Sequence, residues 1–516
     1  MTGLTFDVVP LLPALLPILG VVGVLLADLV TPTLRRGPYA VAAAAALGAA
    51  VAAAPGTRMP AGSARSTLCM DDGLATTLER VSTPRCFWTA DSLTSTLQLA
   101  ACLAAVVCIA LAWPRASAPG APPGHAREPV EATLLLTALS GTVVVAASRD
   151  VGTWLVALEL ATLPIVVLVA LGGSRAAVAG AVQLLVTSLV SFALLTLGVA
   201  LWFLATGSPF LTADAAGAVA GAGPGDTARP LLSLAVVIIL AGLGFKLSLA
   251  PFHAWTPTAY AGSRTAVATF LATVSKVAAL AGLLVVLRAV AVLGTPGLLA
   301  VGVLAVLSMT LGNVVALRQD DVVRLLAWST VAQAGWVVLP LVSVSGLGVR
   351  ASAGYLLTYV VATLVAFAVV AGTVREVGPQ GRRLGAYAAL WQRRPWQAAA
   401  LALALTSLAG LPPGVVGLVG KVVALRPVVA QDWLWLAVLA AANAVLGVAV
   451  YLRWLRPVLT SAGADGPRTG GDPGTPDPEA PPRERPVAVT VALLATTAVL
   501  VAVSVQPDLL LGPLGR

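Results

Sequence analysis

Three lysines stand alone in this 516-residue chain, Lys246, Lys276 and Lys421, and each lies inside an apolar stretch. The remainder of the 31 Lys and Arg residues are arginine, and they fall in loops or at the ends of apolar runs. The partition follows chemistry. Arginine keeps its proton under any usable condition, whereas a lysine taken out of water can release its proton near neutral pH. A charge near the centre of a bilayer costs about 2.5 to 3.5 kcal/mol on insertion scales, so it persists beside a partner, in a hydrated cavity or in a functional role. The chemistry expected of such lysines is a proton relay. The competing explanation is that each snorkels to an interface or binds a carbonyl statically, which is far harder to sustain for all three than for one.

Glu159, in the segment VALELATLP, is the one acidic residue deep in an apolar run. Alone at that depth it would be protonated. A lysine nearby would hold it charged, and moving that lysine or its proton would change the proton affinity of both groups, so Glu159 with Lys246 is the expected switchable pair. A neutral glutamate bonded to Thr162 or to a neighbouring helix is the alternative. His253, two residues after Pro251, has the ring to pass protons near neutral pH and equally the position to cap a broken helix. Tyr355 and Tyr359 lie one helical turn apart, a spacing that packing explains as readily as relay. His125 sits in a Pro-rich loop and carries no reading.

These residues are embedded in a chain that is 58% hydrophobic and 10% charged, more apolar side chain than a soluble fold can cover. A bilayer is the solvent this composition implies. A hydrocarbon core roughly 30 Å thick is crossed by about 17 to 25 helical residues, and open sheets are excluded because lipid cannot satisfy their edges. Fourteen apolar runs are expected as spans: Leu11–Val30, Tyr39–Ala54, Leu93–Trp113, Ala132–Ala147, Val151–Leu171, Ala176–Leu204, Leu231–Leu249, Thr265–Leu287, Leu298–Leu317, Val322–Val344, Ala351–Val374, Ala398–Leu425, Leu434–Leu452 and Val487–Val505. The fold class is therefore an all-α integral membrane protein. Leu11–Val30 lacks a preceding basic region and a small-residue cleavage site, and reads as the first span rather than a signal peptide. The net charge of +9 resides in loop arginines and reports topology, not nucleic-acid binding.

With an even number of spans, 18 arginines fall on one side and 10 on the other, so the richer side is expected in the cytoplasm and both termini outside. Cys69 and Cys86 then share an external loop where a disulfide is permitted; paired and reduced states are both open, and Cys102 and Cys108 are expected to pack within a span. No CxxC or Cys/His cluster suggests a metal, and no GxGxxG or P-loop suggests a nucleotide. The seventh and twelfth spans are interrupted by Leu249-Ala250-Pro251 and Gly410-Leu411-Pro412-Pro413, where proline removes a backbone donor and clashes with the preceding turn. Matched breaks five spans apart point to an internal repeat with the ion site between its halves. The expected organisation is 1–130 for spans one to three with an external loop at 56–92, 131–290 and 297–455 for two five-helix inverted repeats, 456–486 for a disordered cytoplasmic linker, and 487–516 for the last span and external C-terminus.

The segment GFKLSLAPFHAWTPTAYAGSRTAVATFLATVSK, preceded by VALELATLP and followed by GNVVALRQDDVVRLLAWSTVAQAGW, YLLTYVVATLVAFAVV and SLAGLPPGVVGLVGK, resembles the antiporter-like membrane subunits of respiratory complex I from about Glu131 to Arg453. The likeness is strongest to the subunit N branch, which has fourteen spans, no long lateral helix and a lysine in the twelfth. The resemblance implies a bacterial inner-membrane subunit, associated with other membrane subunits of NADH:quinone oxidoreductase, that moves protons while NADH oxidation and quinone reduction proceed elsewhere. It implies that NADH, flavin, iron-sulfur clusters and quinone belong to other parts of the complex, with no catalytic, cofactor or metal residues in this chain. Residue by residue, Glu159, Lys246, Lys276 and Lys421 take the places of the glutamate of helix five and the lysines of helices seven, eight and twelve.

The match has gaps. Gln183 stands where relatives usually carry a lysine in helix six, and Gln333 where they carry the SxxxHxG histidine of helix ten. Thr258 replaces an expected aspartate, and Arg264 and Thr265 stand where alanine and proline are common. Glutamine orders water but takes no charge, so the centre of the relay is expected to be altered. The alternatives that remain are a subunit of a multi-subunit cation/proton antiporter or membrane-bound hydrogenase, and a divergent structural subunit with little pumping.

Overall fold

Apolar runs set the helices, and prolines and left-handed residues set their breaks. The computed structural model describes residues 4–31, 34–70, 85–114, 127–220, 227–293, 298–460 and 487–515. Within them, in chain order, lie α1 (Leu12–Val30), α2 (Gly37–Ala53), α3 (Ser92–Ala112), α4 (Arg127–Ala147), α5 (Val151–Leu160), α6 (Leu163–Ala170), α7 (Arg175–Thr206), α8 (Ala213–Ala220), α9 (Ala228–Leu247), α10 (Trp255–Gly262) and α11 (Thr265–Ala272). The second half continues with α12 (Val274–Val290), α13 (Leu299–Ala316), α14 (Val322–Val338), α15 (Gly346–Val377), α16 (Leu390–Arg393), α17 (Pro395–Ala409), α18 (Val415–Val429), α19 (Leu434–Leu459), α20 (Val487–Val505) and α21 (Asp508–Gly515). Thirteen helical stretches among the described residues are long and apolar enough to cross a membrane, and α17 with α18 supplies a fourteenth crossing in two halves. The all-α membrane class expected from the sequence is the one observed. The expected linker at 456–486 falls mostly outside the described residues, as does His125; its first residues belong instead to the end of α19.

The two expected breaks are present. The seventh span stops at Leu247; Ser248 adopts a left-handed backbone with φ 68°, the Ala250–Pro251 bond is cis, and helix resumes at Trp255. The twelfth stops at Ala409, where Gly410 takes φ 79° and a cis Pro412–Pro413 bond follows. Only glycine adopts such a conformation without a Cβ penalty. Two further spans, for which no break is expected from the sequence, are interrupted as well. The fifth breaks at Ala161-Thr162 because Pro164, in the first turn of α6, cannot continue the ladder of α5. The eighth breaks at Thr273, which leaves the helical backbone with φ −123° and ψ −78°.

The loop expected at 56–92 is also more ordered than a polar loop. β1 (Leu4–Thr5), β2 (Ala64–Met70) and β3 (Arg85–Asp91) form a small antiparallel sheet in that order, with Cys69 opposite Cys86 and joined to it as a disulfide. Alternate residues Cys86, Trp88 and Ala90 of β3 are buried, and Trp88 bridges to Ser148 at the end of α4. The ribbon thus lies on one face of the helical bundle. Arginines of the richer set gather on the opposite face, held to Glu128 (Arg35), Asp321 (Arg382), Glu376 (Arg394) and Asp320 (Arg453). Between the faces, α12, α14 and α15 are buried along most of their length, while α7 and α19 turn large apolar side chains outward.

Candidate functional site

The break in the fifth span and the break in the seventh meet. Glu159 is in the last turn of α5 and Lys246 in the last turn of α9, and Lys246 Nζ lies 2.9 Å from Glu159 Oε1 and 2.9 Å from Thr162 Oγ1. The lysine side chain is 6% exposed and the glutamate 15%, so neither charge is hydrated enough to stand alone. Ser188 of α7 lies 3.4 Å from the second carboxylate oxygen. A small cavity lined by Thr162, Thr187, Ser188, Ser191, Lys246 and Ser275 runs alongside this pair. The expected pairing is observed; Thr162 serves the lysine, not a neutral glutamate.

Lys276, in the first turn of α12, reaches the same break from the other side. Its Nζ donates to the Lys246 carbonyl at 2.9 Å and to Ser248 Oγ at 2.6 Å, and lies 4.8 Å from the centre of the Trp255 ring. The left-handed turn at Ser248 makes this geometry by ending α9 and exposing its last carbonyls, which an unbroken helix would keep for itself. Ser248 is in turn bonded to Thr256 at 2.6 Å, so Glu159, Lys246, Lys276 and Thr256 form one polar cluster joining three broken spans.

Lys421 lies at the break of the twelfth span, on the half-helix that follows it rather than the one that precedes it. From α18 its Nζ donates to the Ala409 carbonyl at 2.5 Å, at the end of α17, and lies 5.4 Å from the Trp336 ring centre. A Cβ added at Gly410 would come within 2.9 Å of the Lys421 side chain, and one at Gly417 within 1.7 Å of the Ser407 carbonyl oxygen, so glycine at both positions lets the half-helices cross. The structure does not bring Lys421 into contact with Glu159 or the other two lysines.

Between the two lysine centres lies a network the sequence did not announce. Gln333 of α14 accepts a short hydrogen bond from Tyr355 of α15, and its amide donates to Tyr451 Oη of α19 at 2.8 Å and to the Leu408 carbonyl at 3.2 Å. Ser329 is 2.6 Å from Tyr451 Oη, and Thr330 is 2.9 Å from Tyr359 Oη. Tyr355 stacks on Trp336, the ring beneath Lys421. The one-turn spacing of Tyr355 and Tyr359 therefore serves hydrogen bonding, and Tyr451 was missed because a lone tyrosine near a span end gives no pattern. His253 lies apart from the carboxylate: its ring is 5.2 Å from Trp328, and its Nδ1 is buried with no partner among the described residues.

Three departures from the resemblance, Gln183, Thr258 and Arg264, also find partners. Gln183 accepts a hydrogen bond from Thr258 at 2.6 Å and donates to the Ala254 carbonyl at 3.1 Å, tying α7 to the seventh-span break through neutral groups. Arg264 pairs with Glu131 at 2.5 Å, and Glu131, whose side chain is 3% exposed, also accepts from Tyr39 at 3.0 Å. Glu131 is thus another buried carboxylate, near the arginine-rich end of α4, that hydropathy alone placed at a span boundary. Among the described residues no group of three or more His, Cys, Asp or Glu is disposed to hold a metal ion.

Buried lysines at helix breaks, one of them paired with a glutamate, sit in an antiporter-like membrane fold. The chain belongs to the NADH:quinone oxidoreductase/Mrp antiporter membrane family, whose model matches residues 148–447. It is 38% identical over 460 residues to NADH-quinone oxidoreductase subunit N of Salinispora tropica, covering 87% of this chain and 84% of that one. It is 35% identical to NADH-quinone oxidoreductase subunit N 2 of Streptomyces griseus, covering 96% and 92%. Among solved structures, a chain of respiratory complex I from Thermus thermophilus superposes with a TM-score of 0.74 at 28% identity, over 97% of this chain and 98% of that one. A chain of the Mrp complex from Dietzia shares the fold with a TM-score of 0.74 at 22% identity, covering 98% and 96%.

Proposed function

We propose that this chain is a proton-translocating membrane-arm subunit of an NADH:quinone oxidoreductase, a translocase component with no self-contained active site. The observation that carries the reading is the buried Lys246–Glu159 pair at the meeting of two helix breaks. A proton arriving at the pair neutralises Glu159 and frees the Lys246 ammonium from it; onward transfer to Lys276 requires that ammonium to swing away from Glu159 and Thr162 toward Ser248, which already accepts from Lys276. Gln333 with Tyr355 and Tyr451 orders the route toward Lys421 without carrying charge itself. His253 serves as an intermediate proton carrier from the seventh-span break. The two five-helix halves, 131–290 and 297–455, act as inverted repeats, with the proline breaks of the seventh and twelfth spans in corresponding places.

In this reading NADH, flavin, iron-sulfur clusters and quinone are bound by other subunits, and the neighbours of this chain are other membrane subunits of the complex. The chain resides in a bacterial inner membrane with both termini outside and its arginine-rich face in the cytoplasm. Replacing Lys246 or Glu159 by alanine and measuring protons pumped per NADH in the assembled complex tests the function. A relay loses most of its share of pumping; a scaffold subunit leaves the ratio unchanged.

A further inference from the structure

On the hairpin face, remote from the lysines, a cavity of about 590 Å³ opens between the β-ribbon, the stretch from Thr206 to Ala215 and the last turn of α12. Its size falls in the range of roughly 300 to 1,000 Å³ common for small-ligand sites. Three guanidinium groups line it: Arg85 at the start of β3, Arg149 between α4 and α5, and Arg288 near the end of α12. Arg288 is held by Asp91, whose carboxylate also caps α3 through the Thr94 amide. Asp214 lines the cavity too and is engaged in an interaction of its own.

Arg149 differs from the other two. Its Nη1 donates to the carbonyls of Ser148 at 2.9 Å and Ala146 at 3.3 Å, and among the described residues no carboxylate forms an ion pair with it. Burial draws its pKa down to about 10, Arg288 adds to the fall, and Asp91 opposes it. A partly dehydrated guanidinium beside a second one is a place that favours an anion offering paired oxygens. Phe210, Leu211 and Val285 complete the wall, and Phe203, Leu204 and Val292, 52%, 69% and 55% exposed, lie within about a turn of lining residues along the chain. A cationic centre bordered by outward apolar side chains matches an anionic headgroup with its acyl chains.

We propose that Arg85, Arg149 and Arg288 form a binding site for a phosphate group, carried by a phospholipid headgroup or present as free phosphate. The assembled complex, purified in mild detergent, is compared as wild type, Arg149→Gln, Arg149→Lys, and Arg350→Gln as a control outside the cavity. Bound phospholipid is counted by phosphorus NMR after solvent extraction. The thermal midpoint of delipidated complex is then followed during additions of phosphatidylglycerol, phosphatidylcholine or sodium phosphate.

The expected result is at least one more anionic phospholipid per wild-type and Arg350→Gln complex than per Arg149→Gln complex. The apparent affinity for phosphatidylglycerol falls about tenfold or more in Arg149→Gln, with Arg149→Lys between, since lysine keeps the charge but not the planar fork. A rise of the midpoint with sodium phosphate at comparable concentrations, lost in the same variants, identifies free phosphate as the source. Equal affinity of wild type and variants for every probe overturns the proposal, as does finding an acidic side chain of a neighbouring subunit in the cavity. Should Arg149→Gln fail to assemble, the Arg149→Lys comparison decides: a severalfold loss supports the site, and no loss overturns it.

Discussion

Lys246 holds Glu159 through its ammonium at 2.9 Å and Lys276 through its backbone carbonyl, also at 2.9 Å, so a single residue joins the carboxylate to the second lysine. That double role depends on the end of α9. A helix that continued past Leu247 would use the Lys246 carbonyl internally, and Lys276 would lose its acceptor.

The central network predicts different outcomes for two substitutions of one residue. Gln333→Leu leaves the buried hydroxyls of Tyr355 and Tyr451 without their shared partner, at a cost of about 1 to 3 kcal/mol. Gln333→His, which restores a donor and an acceptor, is expected to keep the complex within about 1 kcal/mol of wild type. Thermal unfolding of the purified complex, together with its proton-to-NADH ratio, distinguishes the two.

Glu131 and Arg264 make a second test of burial. Arg264→Ala strands a carboxylate that is 3% exposed; because Arg264 itself is 45% exposed, the loss is set nearer the lower end, about 1 to 3 kcal/mol. Adding Glu131→Gln to Arg264→Ala removes the stranded charge and is expected to recover part of that loss. A double variant less stable than Arg264→Ala alone would contradict the pairing.

Close packing of the twelfth span makes glycine indispensable at one place and not at another. Gly417→Ala puts a Cβ within 1.7 Å of the Ser407 carbonyl oxygen, so the half-helices must separate and the chain is expected to be depleted from membranes. Gly372→Ala, in α15 with nothing within 4 Å of the new Cβ, is expected to be neutral or stabilising by up to about 1 kcal/mol. Immunoblots of membrane fractions read both.

The disulfide reports orientation. In intact cells, a membrane-impermeant reductant followed by an impermeant maleimide is expected to label Cys69 and Cys86, while buried Cys102 and Cys108 react only after denaturation. Labelling of the first pair from the cytoplasmic side alone would reverse the assigned topology.

Much of this was legible in the residues because the bilayer imposes a coarse grammar. Span limits followed from hydropathy to within a few residues, as in Val322 and Val487, and the breaks at Pro251 and Pro412 followed from the missing proline donor. Glu159, Lys246, Lys276 and Lys421 stood out because charge at depth is rare. What escaped depended on tertiary partners. Pro164 was visible but sits in an apolar run that reads as continuous, and no proline or glycine marks the break at Thr273. The strands Ala64–Met70 and Arg85–Asp91 were hidden in a long polar loop, and Tyr451 and Glu131 acquire meaning only through Gln333 and Arg264, which lie far away in sequence.

The most direct test is a double-mutant cycle on proton pumping. Complexes carrying Glu159→Gln, Lys246→Met or both are reconstituted, and protons moved per NADH oxidised are measured alongside NADH oxidation. A coupled pair predicts that each single variant loses most of this subunit's contribution and that the double variant is no worse than either. A full wild-type ratio in all three would contradict a relay through Lys246 and Glu159.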